Sequence, residues 1–348
     1  MSIPVRIVIC AENEAVAQAA AEAAFRRVHK LDAIMTDFDS ESELIQLCIK
    51  GGQSGEPVPV SRDLFRVLNK AKQISTASDG AFDVSVGPIV RLWRRARRMH
   101  IFPEQELLDR ARLLVGNELW EIDESAQTVT LKKDKMRFDL GGIAKGDIID
   151  QAIETLKAEG ITAALVDAGG DVRVYGVPPQ TMIQQKVANA QAPKNLSDAE
   201  TQAPVPSGWL VGVSAHGKEV GRFVSDDMAM ASSGDMSRFV TFDGVRYSHI
   251  VDPKTGLGLT SQTAVTVLAP DAITADALAS ALSVLPPEKG LKLLEQFEGS
   301  AAMICQRNPE SQQAEHTDIK ENTSVTVWTS GNWSRLVDKL DTPTSVAP

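Results

Sequence analysis

The spacing of apolar side chains in the first third of the chain is helical. In residues 13–33 they recur every three or four positions, which places them on one face of a helix. Ser40 and Glu43 have the spacing of a capping box, which satisfies the backbone groups at a helix start. Pro103 suits the first turn of a further helix. The predicted helices in this part of the chain span residues 13–33, 40–48, 63–74 and 103–114.

Beyond residue 115 the pattern changes to the alternation that is typical of strands. Asp243-Gly244 is a strong hairpin signal, because this dipeptide adopts the tight turn that joins antiparallel strands. Helices and strands cluster instead of alternating strictly, so we predict an α+β fold with mixed, mainly antiparallel sheets flanked by helices. The predicted helices are 147–159 and 272–284, and the predicted strands are 1–10, 119–122, 128–131, 137–140, 164–166, 172–175, 209–213, 222–224, 239–242, 245–249 and 263–268.

Composition and charge narrow the range of functions. The 348 residues include 36 Lys and Arg against 46 Asp and Glu, a net charge of −10. This balance argues against nucleic acid as a partner, because binding to its backbone requires clustered basic residues. One basic cluster, from Arg91 to Arg98, has the spacing of a solvated helix face. No stretch reaches the ~18 uncharged apolar residues of a membrane-spanning helix, so we expect no span in this chain.

Two segments have the composition of loops. Residues 177–207 are rich in Pro, Gln, Ala, Asn and Ser, and residues 306–322 are polar and charged. Neither has the periodicity of a packed element. We predict that both are flexible insertions between strands.

Four segments combine glycine, acidic, hydroxyl and histidine residues in a way that suggests chemistry. Each also has a purely structural interpretation, as a turn or as the polar face of a helix. The segments span residues 79–88, 139–146, 231–235 together with 248–256, and 274–280.

The second segment is a glycine-rich turn that leads into a helix. Backbone N–H groups at such a helix start can hold a phosphate, and Lys145 could add a positive charge. The glycine spacing matches neither a P-loop nor a dinucleotide fingerprint. Phosphate binding and a simple turn both remain open from the residues alone.

The last two segments supply a possible metal site and a possible base. Asp276 and Ser280 are four residues apart on a predicted helix, so their oxygens lie on the same side. A carboxylate and a hydroxyl suit a hard cation such as Mg²⁺. His249 could accept a proton near neutral pH, although a lone histidine is more often structural.

Together and in this order, the four segments resemble the FAD:protein FMN transferase family, also called the ApbE family. The resemblance extends from about Ile7 to about Val327. The matching pieces are Gly80-Ala81-Phe82-Asp83 with Gly87-Pro88, Asp139-Leu140-Gly141-Gly142-Ile143-Ala144-Lys145-Gly146, Ser233-Gly234-Asp235, His249-Ile250-Val251-Asp252-Pro253-Lys254-Thr255-Gly256, and Asp276-Ala277-Leu278-Ala279-Ser280.

This resemblance implies a reaction and an architecture. The family transfers the FMN half of FAD to a threonine or serine hydroxyl of a target flavoprotein, with Mg²⁺ required and AMP released. The targets are mostly subunits of membrane redox complexes. The implied fold is a two-lobed single catalytic unit over residues 1–340, followed by a short tail, 341–348.

The resemblance also implies roles for individual residues. Asp276 and Ser280 would hold the metal with a backbone carbonyl of the glycine-rich turn, at Gly142 or Ala144. His249 would serve as the base or as a phosphate contact. The positions that match FAD contacts in the family are Phe38, Ala81, Phe82, Asp83, Asp139, Lys145 and Ile250.

The chain departs from the family pattern at three points. Ser280 replaces the usual Thr and keeps the hydroxyl, whereas Phe38 replaces the usual Tyr and keeps only the ring. Family members commonly begin with a glycine- and methionine-containing strand that helps to hold FAD, and this chain starts after it. Because family members are usually periplasmic or membrane-anchored lipoproteins, the resemblance suggests either that a leader is missing or that this protein is cytoplasmic.

Two other functions are consistent with the same residues. A Mg²⁺-dependent FAD pyrophosphatase would break the same bond with water as the acceptor and release FMN and AMP. A non-catalytic FAD-binding protein would hold the dinucleotide without turnover. Of the three functions, we expect the transferase.

Overall fold

The computed structural model describes residues 3–179, 207–234, 238–307 and 325–339, and it has the predicted mixed α+β fold. The helices are α1 (Glu14–Met35), α2 (Glu43–Ser54), α3 (Arg62–Ala77), α4 (Gly87–Met99), α5 (Gln105–Arg112), α6 (Ala144–Ala158), α7 (Ala272–Val284), α8 (Pro287–Leu294) and α9 (Trp333–Leu336). The strands are β1 (Val5–Cys10), β2 (Val58–Pro59), β3 (Trp120–Asp123), β4 (Thr128–Leu131), β5 (Ala163–Ala168), β6 (Asp171–Tyr175), β7 (Trp209–Ala215), β8 (Lys218–Ser225), β9 (Asp227–Gly234), β10 (Phe239–Phe242), β11 (Val245–Ser248), β12 (Thr263–Ala269), β13 (Ala301–Arg307), β14 (Val325–Thr329) and β15 (Asp338–Lys339).

The central element is a seven-stranded sheet with the order β1-β5-β6-β9-β12-β13-β14. Every neighbouring pair in it is antiparallel, as the sequence pattern predicts. Three smaller sheets accompany it, in the orders β2-β4-β3, β15-β8-β7 and β10-β11. Across the described ranges, no helix has the length and apolarity needed to cross a membrane.

The two faces of the central sheet pack against different layers, because side chains alternate between the faces of a strand. On β5, Ala164 and Val166 belong to a large core with the helices, including α1, α6 and α7. Their neighbours Ala163 and Leu165 belong to a second core with the β7–β8 strands. The strand is therefore buried on both sides, which explains its continuous apolar sequence.

A third, smaller core joins α4, α5 and the β10–β11 hairpin. Ile89, Trp93 and Ala96 on α4 pack against Ala111 and Val240. The indole N–H of Trp93 donates to the carbonyl of Gly256 at 2.9 Å. This core therefore fixes the 252–256 loop beside helix α4.

Helix α2 begins two residues later than the capping box predicts. Its N-cap is Ser42, whose hydroxyl accepts from the N–H of Ile45 at 3.2 Å, so the assignment to Ser40 is wrong. Glu43 accepts instead from the N–H of Ser61 at 2.5 Å. The carboxylate thereby links α2 to the start of α3, a tertiary contact that local spacing does not reveal.

The strand predicted over 137–140 is not formed. Arg137 makes one parallel bridge with Val86, and the N–H of Asp139 donates to the carbonyl of Val84 at 2.7 Å. These contacts set the 79–88 segment directly beside the glycine-rich turn. The 79–88 segment and the glycine-rich turn are far apart in the chain, but they are neighbours in the fold although no regular sheet joins them.

Other predicted boundaries also shift. Pro103 precedes α5, whose N-cap is Glu104, and α6 begins at Ala144 instead of residue 147. Strand β13 includes residues 306 and 307, which the sequence pattern assigned to an insertion. Strands β9, β13 and β14 were not predicted. The described residues do not include the remainder of the 306–322 segment, most of 177–207 or the 341–348 tail.

Buried ion pairs connect the helices on one face of the sheet. Asp63 on α3 accepts from Arg27 of α1 at 2.6 Å and 2.5 Å, and from Arg66 at 2.9 Å. Arg66 also donates to Asp147 of α6 at 2.7 Å and 2.9 Å. Hydrogen bonds from Arg27, more than any other contact, lower the pKa of Asp63 to about 2.

A second buried carboxylate holds the start of α7. Asp150 of α6 accepts from the N–H groups of Ala272 and Ile273, both at 2.9 Å, and from Arg173 of β6 at 2.5 Å. Burial raises the pKa of Asp150 to about 6 against the opposing effect of Arg173. The Asp150 carboxyl satisfies two N–H groups that a helix start leaves unpaired.

We expect Gly146→Ala to lower the free energy of unfolding by about 1–3 kcal/mol, as is typical of overpacking. A Cβ at Gly146 would lie 2.2 Å from the carbonyl oxygen of Ala272, where α6 crosses α7. Urea unfolding followed by circular dichroism measures the change. The matched control is Gly52→Ala in α2, whose Cβ meets nothing closer than 3.4 Å. Equal stability of the two variants would contradict the close crossing.

We expect Asp63→Asn to cost about 1–2 kcal/mol of stability at neutral pH. The folded-state pKa is lowered, so the contribution is present above the unfolded pKa of about 3.9 and is lost as the pH falls through the folded value. Urea unfolding at several pH values should show the difference from the wild type shrinking below about pH 4. The exposed Asp226→Asn serves as the control. A difference that does not change with pH would refute the assignment to this carboxylate.

Candidate functional site

The glycine-rich turn before α6 lies against helix α7. A Cβ placed on Gly142 would be 2.6 Å from the hydroxyl oxygen of Ser280 and 3.4 Å from the ring of Phe82. Any side chain at this position would therefore displace one of them. Three of the four candidate segments meet at this point.

Asp276 lies one helical turn before Ser280 and is also in contact with α6. Its Oδ2 accepts from the N–H of Gly146 at 3.1 Å, and its Oδ1 lies 3.6 Å from the ammonium group of Lys145. Burial raises the pKa of the Asp276 carboxyl, while Lys145 opposes that effect. Asp276 therefore contacts the start of α6, and Ser280 lies beside Gly142 in the turn.

Lys145 is held by a residue that the sequence analysis did not single out. Its ammonium group bonds to Asp171 at the start of β6, and the other oxygen of Asp171 accepts from the N–H of Ser232 at 3.0 Å. Burial disfavours the charged form, but Asp276 and Asp171 outweigh it and raise the pKa of Lys145. A Gly169-Gly170-Asp171 turn was the available signal, although glycine-acid turns are too common to be specific.

The predicted phosphate cradle of N–H groups is largely occupied by internal contacts. Five of the N–H groups between residues 141 and 147 already donate within the chain: Gly141 to Asp139, Ile143 and Ala144 to Leu140, Gly146 to Asp276, and Asp147 to Ile143. The turn therefore offers few donors to a phosphate. In contrast, no hydrogen bond to the carbonyl of Gly142 occurs in the part of the chain that the structure describes.

The 79–88 segment packs apolar side chains against the glycine-rich turn and is stabilised by its own hydrogen bonds. Ala81 and Phe82 are buried, and the Phe82 ring lies beside Gly142. Asp83 accepts from the N–H of Ser85 at 2.8 Å and from its hydroxyl at 2.7 Å. Burial raises the pKa of Asp83, and these bonds oppose it. Asp83 thus stabilises its own loop.

A further ionic cluster lies at the other end of the turn. Arg94 of α4 donates to Asp139 at 2.8 Å and bonds to Asp37, and Asp139 accepts from the N–H of Gly141 at 2.8 Å. The guanidinium of Arg94 also lies 4.7 Å from the centre of the Phe38 ring. Burial raises the pKa of Asp139, and Arg94 counteracts it.

The prediction that the basic cluster from Arg91 to Arg98 is a solvated helix face is wrong for Arg94. One of the cluster's five arginines is a structural part of the candidate site. Phe38 itself is 82% exposed, so one face of its ring remains accessible while Arg94 covers the other. An exposed aromatic ring backed by a cation is suited to stacking a flat ligand.

His249 lies on the loop that follows β11. It is exposed, and its Nδ1 lies 3.1 Å from the carbonyl oxygen of Arg238. The N–H of Ile250 donates to the Ser248 hydroxyl at 3.0 Å. Asp235 of the same candidate segment lies outside the described residues.

An ion pair connects this loop to the 79–88 segment. Lys254 donates to Asp79 at 2.5 Å, and its carbonyl accepts from Arg112 at 3.0 Å. Two clefts, of about 840 and 380 Å³, lie on either side of this ion pair. Neither cleft is lined by Gly142, Asp276 or Ser280, so these two clefts and the Asp276–Ser280 pair are separate features.

The donor atoms around Gly142 fit magnesium better than a softer metal. Within the described ranges, no group of three His, Cys, Asp or Glu residues could hold a metal ion. Magnesium commonly binds one or two protein carboxylates and completes its octahedron with water and substrate phosphates. The Asp276 carboxylate, the Ser280 hydroxyl and the Gly142 carbonyl are oxygen donors of the kind that magnesium takes from a protein.

Comparisons with known proteins point to one family over most of the chain. A family model described as the ApbE family matches residues 1–305. The chain is 31% identical over 270 residues to the FAD:protein FMN transferase of Haemophilus influenzae, covering 76% of this chain and 72% of that protein. It is 29% identical over 310 residues to a protein of the same name from Klebsiella pneumoniae, covering 88% and 87%. The solved flavin transferase ApbE of Vibrio cholerae superimposes with a TM-score of 0.75 at 25% identity, covering 97% of this chain and 96% of that one.

Proposed function

The chain belongs to the ApbE family, and from that premise we propose that it is a FAD:protein FMN transferase. In the proposed reaction, a threonine or serine hydroxyl of a target flavoprotein attacks the flavin-side phosphorus of FAD. The bond from this phosphorus to the bridging oxygen breaks, and AMP leaves with that oxygen. The products are a phosphodiester-linked FMN and AMP, and the hydroxyl proton passes to a base.

The observation that carries the proposal is the apposition of Ser280, Asp276 and the Gly142 turn. A carboxylate and a hydroxyl one helical turn apart meet a backbone segment that only glycine permits. Asp276, Ser280 and a turn carbonyl would hold Mg²⁺, which would neutralise charge on the pyrophosphate oxygens. Transfers of this type depend mainly on positioning and electrostatics, so a rigid donor set is the main requirement.

Gly142 is favoured over Ala144 as the source of the carbonyl ligand. The Gly142 carbonyl accepts no hydrogen bond within the described part of the chain. Ala144 lies in the first turn of α6, where its carbonyl is directed along the helix toward the N–H four residues later. Lys145 would then keep Asp276 in place while remaining near the substrate's phosphates.

The flat rings of FAD have a matching surface at Phe38. We propose that one ring system stacks on the exposed face of Phe38, with Arg94 on the opposite face. Asp139, fixed by Arg94 and the N–H of Gly141, would contact the sugar of the same half of the molecule. Ala81, Phe82, Asp83 and Ile250 remain proposed FAD contacts, with Phe82 directly beside Gly142.

His249 is the proposed base. A proton on Nδ1 donated to the Arg238 carbonyl would place the accepting lone pair on Nε2. The exposed position of His249 allows a protein-borne hydroxyl to approach it. We propose that the acceptor is a flavoprotein subunit of a membrane redox complex, and nucleic acid is not a partner in this reaction.

The decisive experiment incubates the purified protein with FAD, Mg²⁺ and a candidate flavoprotein. Mass spectrometry should show an added mass of FMN less one water on a threonine or serine, together with an equal amount of AMP. Free FMN without labelled protein would instead identify a FAD pyrophosphatase. FAD binding without AMP release would identify a non-catalytic binding protein.

We expect Asp276→Ala and Ser280→Ala to impair Mg²⁺-dependent AMP release, because each removes a proposed metal oxygen and so lowers the affinity for Mg²⁺. The Asp276 variant should lose nearly all activity, and the Ser280 variant should need a higher Mg²⁺ concentration for half-maximal rate. Initial rates over a magnesium titration measure both effects. Ser283→Ala on the same helix is the matched control, because the Ser283 hydroxyl donates to the Ala279 carbonyl at 2.9 Å instead. An unchanged magnesium titration for Asp276→Ala would refute the metal assignment.

We expect His249→Ala to slow FMN transfer by about 10²-fold or more while FAD binding stays nearly unchanged, as for the loss of a general base. Single-turnover labelling of the acceptor gives the rate, and flavin fluorescence titration gives the affinity. His29→Ala, an exposed histidine on α1, is the control. A normal transfer rate in His249→Ala would remove this residue from the mechanism.

A further inference from the structure

Helix α4 presents a continuous face of arginine side chains to solvent. Ile89, Trp93 and Ala96 form its buried side, so the positions opposite them are exposed. The exposed arginines on this side are Arg91, Arg95, Arg97 and Arg98. We refer to these four residues as the arginine face.

The arginine face has no internal countercharge. None of its four residues forms an ion pair with another residue in the part of the chain that the structure describes. The neighbouring helix α5 does carry acidic residues, but Glu106 pairs with Arg110 at 2.5 Å and Asp109 pairs with Arg112 at 3.5 Å. Between residues 87 and 112 there are seven Arg against three Asp and Glu, in a chain whose net charge is −10.

Exposed apolar side chains extend the arginine face at the end of α4. Met99 is 52% exposed and Ile101 is 63% exposed. His100 between them adopts a left-handed conformation that ends the helix and turns the chain. Arginine and methionine are both enriched in protein–protein interfaces, where the charged atoms meet countercharges and the apolar atoms are covered.

The arginine face is continuous with the candidate site. Arg94 lies between Arg91 and Arg98 on the same helix, and it turns inward to Asp37 and Asp139. Asp139 is two residues from the glycine-rich turn and bonds to its first N–H group. A molecule that covers the arginine face therefore lies immediately beside the proposed FAD site.

We propose that the arginine face docks an acidic surface of the flavoprotein that accepts FMN. This inference rests on the proposed function, which requires a folded protein to bring a hydroxyl to this site. The position beside Arg94 and the candidate site favours the acceptor over a lipid surface or a nucleic acid, because the proposed reaction brings that protein to this place. Charges at the edge of an interface act mainly by accelerating association, so the effect should appear in the capture of the acceptor and not in the chemical step.

The kinetic test uses the flavoprotein that the labelling experiment identifies and the triple variant Arg91→Glu/Arg95→Glu/Arg98→Glu. We expect kcat/KM for the acceptor to fall at least about 10-fold through a higher KM, with kcat at saturating acceptor and the KM for FAD unchanged. Added salt should lower kcat/KM of the wild type and have little effect on the variant, because salt screens the steering charges.

The control variant is Arg26→Glu/Lys50→Glu/Lys218→Glu, which makes the same change in net charge at exposed positions on other elements. It should keep at least half of the wild-type kcat/KM. Equal losses in the two triple variants would show a general charge effect and overturn the proposal. Loss of FAD affinity in the arginine variant would overturn it as well, because the face would then belong to the FAD site.

A binding experiment tests the arginine face independently of the reaction. Fluorescently labelled poly-L-glutamate, phosphatidylglycerol vesicles and duplex DNA are each titrated with the full chain and with both triple variants. We expect poly-L-glutamate to bind the wild type and the control, and to bind the arginine variant at least about 10-fold more weakly. Binding of vesicles or DNA alone would overturn the choice of an acidic protein. If the wild type binds poly-L-glutamate through this face yet labels no protein, the proposed transferase function fails while the docking surface stands.

Discussion

The close crossing of helices α6 and α7 is the constraint on which the candidate site depends. Gly146 lies so near the Ala272 carbonyl that a Cβ would approach it to 2.2 Å, and its N–H donates to Asp276. One turn further along α6, Asp150 accepts from the first N–H groups of α7. These contacts fix the rotation and depth of α7, which places Ser280 against Gly142. The oxygen pair therefore faces the turn because of backbone geometry and not because of local sequence.

Buried charges give this site its rigidity at an energetic cost. Asp276, Asp171 and Lys145 are removed from water, and a buried ion pair seldom adds net stability compared with apolar packing. Breaking such a cluster is nevertheless costly, because one charge is left without its partner. The cluster thus favours a single arrangement of its side chains, which suits chemistry in which preorganised charge does most of the work. The Asp63 and Asp150 pairs apply the same principle to the helices that support the site.

Arg94 shows how one helix can serve both the interior and the surface. Its side chain joins Asp37 and Asp139 and covers one face of Phe38, whereas its helical neighbours remain in solvent. The same helix therefore connects the ring-stacking surface to the outside of the protein. For an enzyme whose second substrate is a protein, such a connection would couple recognition of the acceptor to the position of FAD.

The sequence by itself determined the class of fold and predicted which residues form the candidate site. Helical and alternating periods predicted α1, α3, α7 and the β10–β11 hairpin, because each of these elements buries one face against the core. The Asp276–Ser280 spacing predicted an oxygen pair on one side of a helix, since four residues make about one turn. Boundaries were less predictable: α2 is capped by Ser42 and not Ser40, because Glu43 is used in a contact with Ser61, eighteen positions away in the chain.

Only the tertiary structure decided how these parts are used. In the folded chain, most N–H groups of the glycine-rich turn donate to internal acceptors, and Asp171 pairs with Lys145. Arg94 pairs with Asp139, whereas the other four arginines of its helix stay in solvent. The acceptor of the Gly146 N–H, the partner of Lys145 and the partners of Arg94 are tens of residues away in the chain, whereas the other N–H bonds of the turn are local. Periodicity reports which side of an element is buried, but it carries no information about which other element covers that side.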